Sequence, residues 1–247
     1  MQSGEVARDT TPYGTMRASA KLFVCLCAVF VMCLLLGDVI GGKTIATPLG
    51  PISVGIIPFP VTFLLTDVVN DFYGRRGARF LTWLGFSAAV GAWVILQIAT
   101  ALPVDGSTYF TQVEFQKIFG GSSQLFVASM IAYLIGQFLD IYVFQFWKAL
   151  TQSRHLWLRA TGSTILSQAV DTIVINEIFW TWTARREQGW IVAKMVREYG
   201  IKVVVAIFLT PAIYALHAII VKRFHMDPEL HEGAKVAPVK KEDPLIP

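Results

Sequence analysis

Asp38, Asp140, Asp171, Glu177 and Lys202 are ionisable side chains set inside long apolar stretches, and Asp67 stands near the end of a proline-rich one. A charge at mid-bilayer costs roughly 2.5–3.5 kcal/mol on the insertion scale, so such groups face a bundle interior or an aqueous cavity. Spacing sorts them into stripes. Thr164, Gln168 and Asp171 stand at i, i+4 and i+7, and Gln137, Asp140 and Phe144 at i, i+3 and i+7, each set on one helix face. Asp67, Asn70 and Asp71 share a third face, just beyond the proline-rich stretch. The chemistry on offer is recognition. A carboxylate accepts two neighbouring donors, an amide both donates and accepts, and an aromatic ring stacks on a planar ligand. Asp38, Asp140, Asp171 and Glu177 also outnumber the one buried cation, Lys202, which leaves charge for a proton or a cationic ligand to balance.

Each residue has a structural alternative. Asp67 and Asp71 can cap a helix end above Arg75, Arg76 and Arg79. Gln137 and Asp140 can be hydrogen-bonding glue between helices, and Asp171 can be held in an ion pair with Lys202. Glu177 can reach water, and Phe179, Trp180 and Trp182 can form an interfacial belt. Four carboxylates at membrane depth exceed what glue requires, which favours a polar ligand pathway.

Catalytic and metal patterns are missing. Gly37, Gly42, Lys43 and Thr44 spell G-x-x-x-x-G-K-T, but a phosphate-cradling loop needs a strand before it and a helix after it. Here the string follows a long apolar run and leads into Pro48 and Pro51. No H-E-x-x-H and no G-x-S-x-G elbow occurs, so the chain does not read as an enzyme. Cys25, Cys27 and Cys33 lie in one apolar run without zinc spacing, and no metal or other cofactor is implied.

The elements that must position these side chains are membrane helices. The 247 residues are 54% hydrophobic and only 15% charged, with a mean hydropathy of +0.55. Soluble domains carry about 25% charge, so the chain reads as an all-α polytopic membrane protein. Six spans are expected: Leu22–Ile40, Pro48–Leu65, Phe80–Leu102, Leu125–Trp147, Thr161–Trp182 and Ile201–Val221. Pro48, Pro51, Pro58 and Pro60 make the second a broken or re-entrant helix, and irregular backbone at that depth lines protein or a cavity. Lys and Arg number 14 in the segments on the N-terminal side of the membrane and 6 on the other, which places both termini in the cytoplasm. Trp190–Tyr199 reads as an amphipathic segment, lying at the interface or extending the last helix. The expected organisation is a polar N-terminal extension (1–21), a six-helix membrane domain (22–221) and a cytoplasmic tail (222–247). The net charge of +4 is spread between apolar runs, so no nucleic-acid partner is expected. Gly85–Ala89 and Ala88–Ala92 can serve either a homodimer seam or close helix approach within one chain.

The run FPVTFLLTDVVNDFYGRRGAR, Phe59–Arg79, resembles the signature of the queuosine-precursor transporter (YhhQ or VUT) family. Ala132–Lys148, Trp157–Ile175 and Tyr199–Tyr214 agree with that family in order. The resemblance implies an inner-membrane carrier of 7-cyano- and 7-aminomethyl-7-deazaguanine, serving tRNA queuosine synthesis. It also implies a six-helix fold similar to the substrate-binding subunits of energy-coupling-factor systems. The chain departs from the family at Asp38, where members often carry Asn. A guanine-like edge suits the stripes: Asp140 or Asp171 can supply the carboxylate, Gln137, Gln168, Asn70 or Asn176 the amide, and Phe59, Phe144 or Phe179 the stacking ring. Asp67, Glu177 and Lys202 complete the candidate set. The carrier is proton-coupled or facilitative; the other reading of the same residues is a capture subunit that needs a separate energising complex.

Overall fold

The structure is a computed structural model, and it describes residues 18–41, 43–48, 50–119, 123–151, 155–178, 181 and 187–224. Residues 1–17 and 225–247 of the two polar ends, and Phe179, Trp180 and Trp182 of the expected aromatic belt, lie outside the described residues; 18–21 and 222–224 belong to helices. In chain order come α1 (Ala18–Ile40), β1 (Thr44–Thr47), β2 (Gly50–Ser53), one 3-10 turn (Val54–Ile56), α2 (Phe59–Phe72), α3 (Gly74–Ala101), α4 (Gln112–Phe119), α5 (Ser123–Leu150), α6 (Leu156–Asn176) and α7 (Gln188–Phe224).

The proline-rich stretch resolves differently from the broken span expected at Pro48–Leu65. Its first half is an antiparallel hairpin in which Thr44 faces Ser53 and Thr47 faces Gly50. Proline has no N–H to give a helix interior, whereas a two-stranded ribbon consists of edges and tolerates Pro51. The hairpin leans on the end of α1: Ser53 Oγ donates to the Gly41 carbonyl at 2.6 Å, and Val54 N–H to that of Lys43 at 2.8 Å. The helix starts only at Phe59, with Pro60 in its first turn where no N–H is needed. It then continues past the expected end, so Asp67, Asn70 and Asp71 are inside α2 rather than beyond it. The phosphate-loop lookalike runs from helix α1 into strand β1, the reverse of the order that chemistry needs.

At 14 residues α2 is about 21 Å long, and it is the central element, packed against α1, α3, α5, α6 and α7. Among the described residues Ser19–Ile40, Val54–Phe72, Gly74–Ala101, Phe126–Leu150 and Gln188–Phe224 are long and apolar enough to cross a membrane. The remaining long helix, α6, has 21 residues and a polar face turned inward: Thr164, Gln168 and Asp171 are all buried. It starts at Leu156, five residues before the expected span, which brings Arg159 into the bundle. Outward faces carry large apolar side chains, Phe80, Ile95 and Ile98 on α3 and Ile207 and Phe208 on α7, the pattern of a lipid-facing surface. The amphipathic Trp190–Tyr199 stretch belongs to α7, a single helix of 37 residues, about 55 Å.

Two glycines set the packing. Gly74 has φ 66° and turns α2 into α3 through Tyr73, a backbone conformation that strains other residues. Gly85 lies at a crossing, where a Cβ would meet Phe30 Cε1 at 2.6 Å and Tyr133 Oη at 2.7 Å. The Gly85–Ala89 spacing therefore serves the approach of α3 to α1 and α5 within the chain.

Candidate functional site

A cavity of about 820 Å³ lies beneath the hairpin. Phe59, Phe63 and Asp67, at successive i+4 positions, line it from α2; Thr164, Gln168 and Asp171 line it from α6. Asp38 of α1, Trp93 of α3 and Phe126 of α5 add further wall, the two rings stacked at 5.4 Å and 10°. Toward the far end Thr161 and Thr210, which also line it, hydrogen-bond through their hydroxyls at 2.8 Å.

Several buried polar atoms on this wall have no protein partner. They are Asp38 Oδ2, Asp67 Oδ1, both polar atoms of Gln168, and Trp93 Nε1. A buried donor or acceptor left unmade costs about 1–3 kcal/mol, so these residues carry hydrogen-bonding capacity that no other protein group uses. They comprise three acceptors and two donating groups on a wall that also carries aromatic rings.

Other cavity groups are already paired. Lys202 Nζ lies 2.7 Å from Asp171 Oδ2 and 3.1 Å from Thr172 Oγ1, and sits 5.7 Å from the Phe59 ring centroid. Near the mouth, Asn176 Nδ2 donates to Glu198 Oε2 at 3.1 Å, and Lys194 pairs with Glu198 and reaches Asn176 Oδ1 at 3.3 Å.

Six expected site residues therefore line the cavity: Phe59, Asp67, Gln168, Asp171, Asn176 and Lys202. Five do not. Gln137 is buried behind α2, its Oε1 accepting from Thr66 Oγ1 at 3.0 Å. Asn70 ties α2 to α5, donating to the Ile141 carbonyl at 3.3 Å and accepting from Gln145 at 2.6 Å. Asp140 accepts from Ser167 Oγ at 3.1 Å, and its carboxyl neighbours that of Asp67. Phe144 is wholly buried under the Arg159 guanidinium, 5.6 Å from its centroid. Glu177 accepts from Thr181 Oγ1 at 2.7 Å.

Asp71 departs most from expectation. It does not cap a helix above Arg75, Arg76 and Arg79; Arg75 instead lies over the Tyr142 ring at 4.2 Å. Asp71 Oδ1 is 2.9 Å from Lys148 Nζ, and Oδ2 is 2.8 Å from Arg159 Nη2 and 3.3 Å from His217 Nε2. One carboxylate thus joins α2, α5, α6 and α7, with Asp71, Lys148 and Arg159 all nearly inaccessible. Outside the bundle, the loop before α4 and its first turn are polar. Hydrogen bonds from Ser107 hold Asp105 below the ordinary carboxylate range. Those from Thr111 do the same for Glu114, which closes a capping box on α4.

Sequence reasoning overlooked Trp93, hidden in the most uniformly apolar run, and the Lys194–Glu198 pair, which lies in a segment that reads as interfacial. It placed Arg159 and Lys148 in a connecting loop. Their signal was present: both flank spans whose helices run longer than hydropathy alone suggests.

A helical bundle with lipid-facing outer surfaces and an internal cavity, largely apolar but set with buried polar groups, defines a multi-pass membrane protein of the transporter class. The protein-family model for putative vitamin uptake transporters matches residues 53–216, and the chain belongs to that family, the queuosine-precursor transporter (YhhQ or VUT) family. It is 31% identical over 173 residues to the queuosine precursor transporter of Escherichia coli K12, covering 68% of this chain and 74% of the relative. It is 33% identical over 127 residues to a probable queuosine precursor transporter of Bacillus subtilis 168, covering 51% of this chain and 55% of the relative. A probable queuosine precursor transporter of Haemophilus influenzae is 27% identical over 176 residues, covering 70% of this chain and 71% of that protein. The match therefore spans about half the length of the Bacillus protein and under three-quarters of the other two. No solved structure matches the chain.

Proposed function

We propose that this protein carries queuosine precursors, 7-cyano- and/or 7-aminomethyl-7-deazaguanine, across the inner membrane for tRNA queuosine synthesis, with both termini in the cytoplasm. The observation that carries this reading is the set of unmatched buried polar atoms on the cavity wall. A 7-deazaguanine brings ring N–H and amino donors together with carbonyl and ring-nitrogen acceptors, and a flat face. Asp67 Oδ1 takes the paired donors of the guanine-like edge, Gln168 donates to the carbonyl, and Phe59 or the Trp93–Phe126 pair flanks the ring. Names of relatives agree with this cargo.

The carrier is proton-coupled in this reading. Two neighbouring buried carboxyls, Asp67 and Asp140, favour one shared proton over two charges, and Asp67 also lines the cavity. Cargo and proton then meet at one side chain. Growth rescue tests the cargo: the gene should restore queuosine in tRNA when a strain unable to make the precursor is fed it. No restoration with either base, despite normal membrane expression, would sink the proposal. Uptake of the neutral cyano base into proteoliposomes tests the coupling. Equal initial rates with and without an inward proton gradient would leave a facilitative carrier. Capture without any flux would instead point to a subunit that needs an energising complex.

A further inference from the structure

Charge balance within the cavity singles out one residue. Asp171 has Lys202 at 2.7 Å, and Glu198 has Lys194. Asp67 neighbours the Asp140 carboxyl and accepts from Thr164 Oγ1 at 3.5 Å. Arg197 is exposed at the mouth. Asp38 differs from all of these. It lines the cavity from α1, its Oδ2 is buried without a hydrogen-bond partner, and no described cation lies within ion-pair distance of it. Gln168 and Asp67, each at least nine-tenths buried and each with an unmatched atom, face the same space from α6 and α2. Helices α1 and α6 both pack on α2, so Asp38 and Gln168 approach a ligand from different walls.

We infer that Asp38 is the counter-ion for a positively charged substituent on the ligand, and that it sets a preference for the cationic 7-aminomethyl base over the neutral 7-cyano base. The inference rests on the cargo proposed above and adds which form is favoured and which residue decides. With the guanine-like edge held by Asp67 and Gln168, the 7-substituent projects from the five-membered ring beside the carbonyl, where a carboxylate from another wall can meet it. An ammonium there gains an ionic hydrogen bond in a site largely shielded from water; a nitrile offers only an acceptor, which a carboxylate repels. Lys202 does not screen Asp38, because Asp171 already engages it.

The test is direct binding of each base to the purified full chain in lipid nanodiscs at pH 7, with wild type, Asp38→Asn and Gln168→Ala, and thermal unfolding as the folding control. Wild type should favour the aminomethyl base by about tenfold or more, the size of one partly shielded charge contact. Asp38→Asn should remove that preference, weakening the aminomethyl base and leaving the cyano base as tight or slightly tighter, while Gln168→Ala should weaken both bases alike. Equal wild-type affinities, or equal weakening of both bases by Asp38→Asn, would overturn the role of Asp38 and leave the cargo intact. Failure of the folded wild type to bind either base would overturn the cargo and this inference together. Should Asp38→Asn not fold, the wild-type preference decides, supplemented by Asp38→Glu, which keeps the charge and should keep the sign of the preference.

Discussion

Asp67 and Asp71 stand one turn apart on α2, and both are buried, yet their surroundings are opposite. Asp71 has two cations within 2.9 Å and a histidine at 3.3 Å. Asp67 has a second carboxyl, a distant threonine hydroxyl and an oxygen facing the cavity with no partner. The same side chain on the same helix is held in a cluster of charges in one place and lines a cavity with an unpartnered oxygen in the other. What decides is which helices reach it: α5, α6 and α7 bring Lys148, Arg159 and His217 to Asp71, whereas the cavity opens beside Asp67.

Removing the satisfied carboxylate should have the largest effect. Asp71→Ala leaves Lys148 and Arg159 buried without their counter-charge and should cost on the order of 3–5 kcal/mol of stability. Thermal unfolding in detergent would show it, and an unfolding midpoint like that of wild type would break the contrast. Next comes Asp67→Asn, which should abolish uptake with a stability change of about 1 kcal/mol or less, since it removes no ion pair. If it unfolds the protein as Asp71→Ala does, both aspartates are structural. Gln168→Leu sharpens the contrast in the other direction. It should lower affinity for either base about 10- to 100-fold while leaving stability equal or slightly raised, because two unmatched polar atoms leave the interior. A marked drop in unfolding temperature would show that Gln168 has a structural partner after all.

The smallest effect serves as an outside control. Glu114 has its folded pKa depressed, so its contribution to α4 is present above the ordinary glutamate range and is lost as pH falls through the depressed value. Protection from hydrogen exchange, taken relative to the intrinsic amide rate at each pH, should therefore fall across Gln112–Phe119 on acidification from pH 6 toward pH 3 and be unchanged between pH 6 and pH 8. Protection that falls on raising the pH would contradict that sign.

Much of the scaffold is legible because its signals are local. Six apolar runs, the polar stripe Thr164–Gln168–Asp171 and the prolines that forbid a helix before Phe59 all follow from residues within a few turns of one another. The Asp171–Lys202 pair could be proposed because Lys202 is the one Lys or Arg within the six expected spans and Asp171 stands on a polar stripe. The partners of Asp71 could not, since they lie 77 and 88 residues away and sit where hydropathy reads a loop. For the same reason Asp140 and Gln137, a convincing stripe by period, read as ligand groups: periodicity shows that residues share a face, not whether that face meets a cavity or another helix. Trp93 lacks even that signal, being one aromatic residue in an apolar helix whose indole N–H happens to face the cavity.

The four-helix grip on Asp71 also has a timetable. The chain is made from its N-terminus, so α2 leaves the ribosome while Lys148 and Arg159 are still 77 and 88 residues from synthesis. At about 5–20 residues per second that is a wait of roughly 4–18 s for Arg159. During it, a 14-residue helix carrying two aspartates, and one proline in its first turn, lacks the cations that later hold Asp71. Such a segment is poorly suited to remaining in lipid alone, so its final seating is expected only when the α5–α6 pair arrives. Stalled nascent chains ending before Lys148 should leave a cysteine placed at Val68 open to a water-soluble maleimide, and chains extending beyond His217 should close it. Equal labelling at both lengths would mean that α2 seats itself unaided.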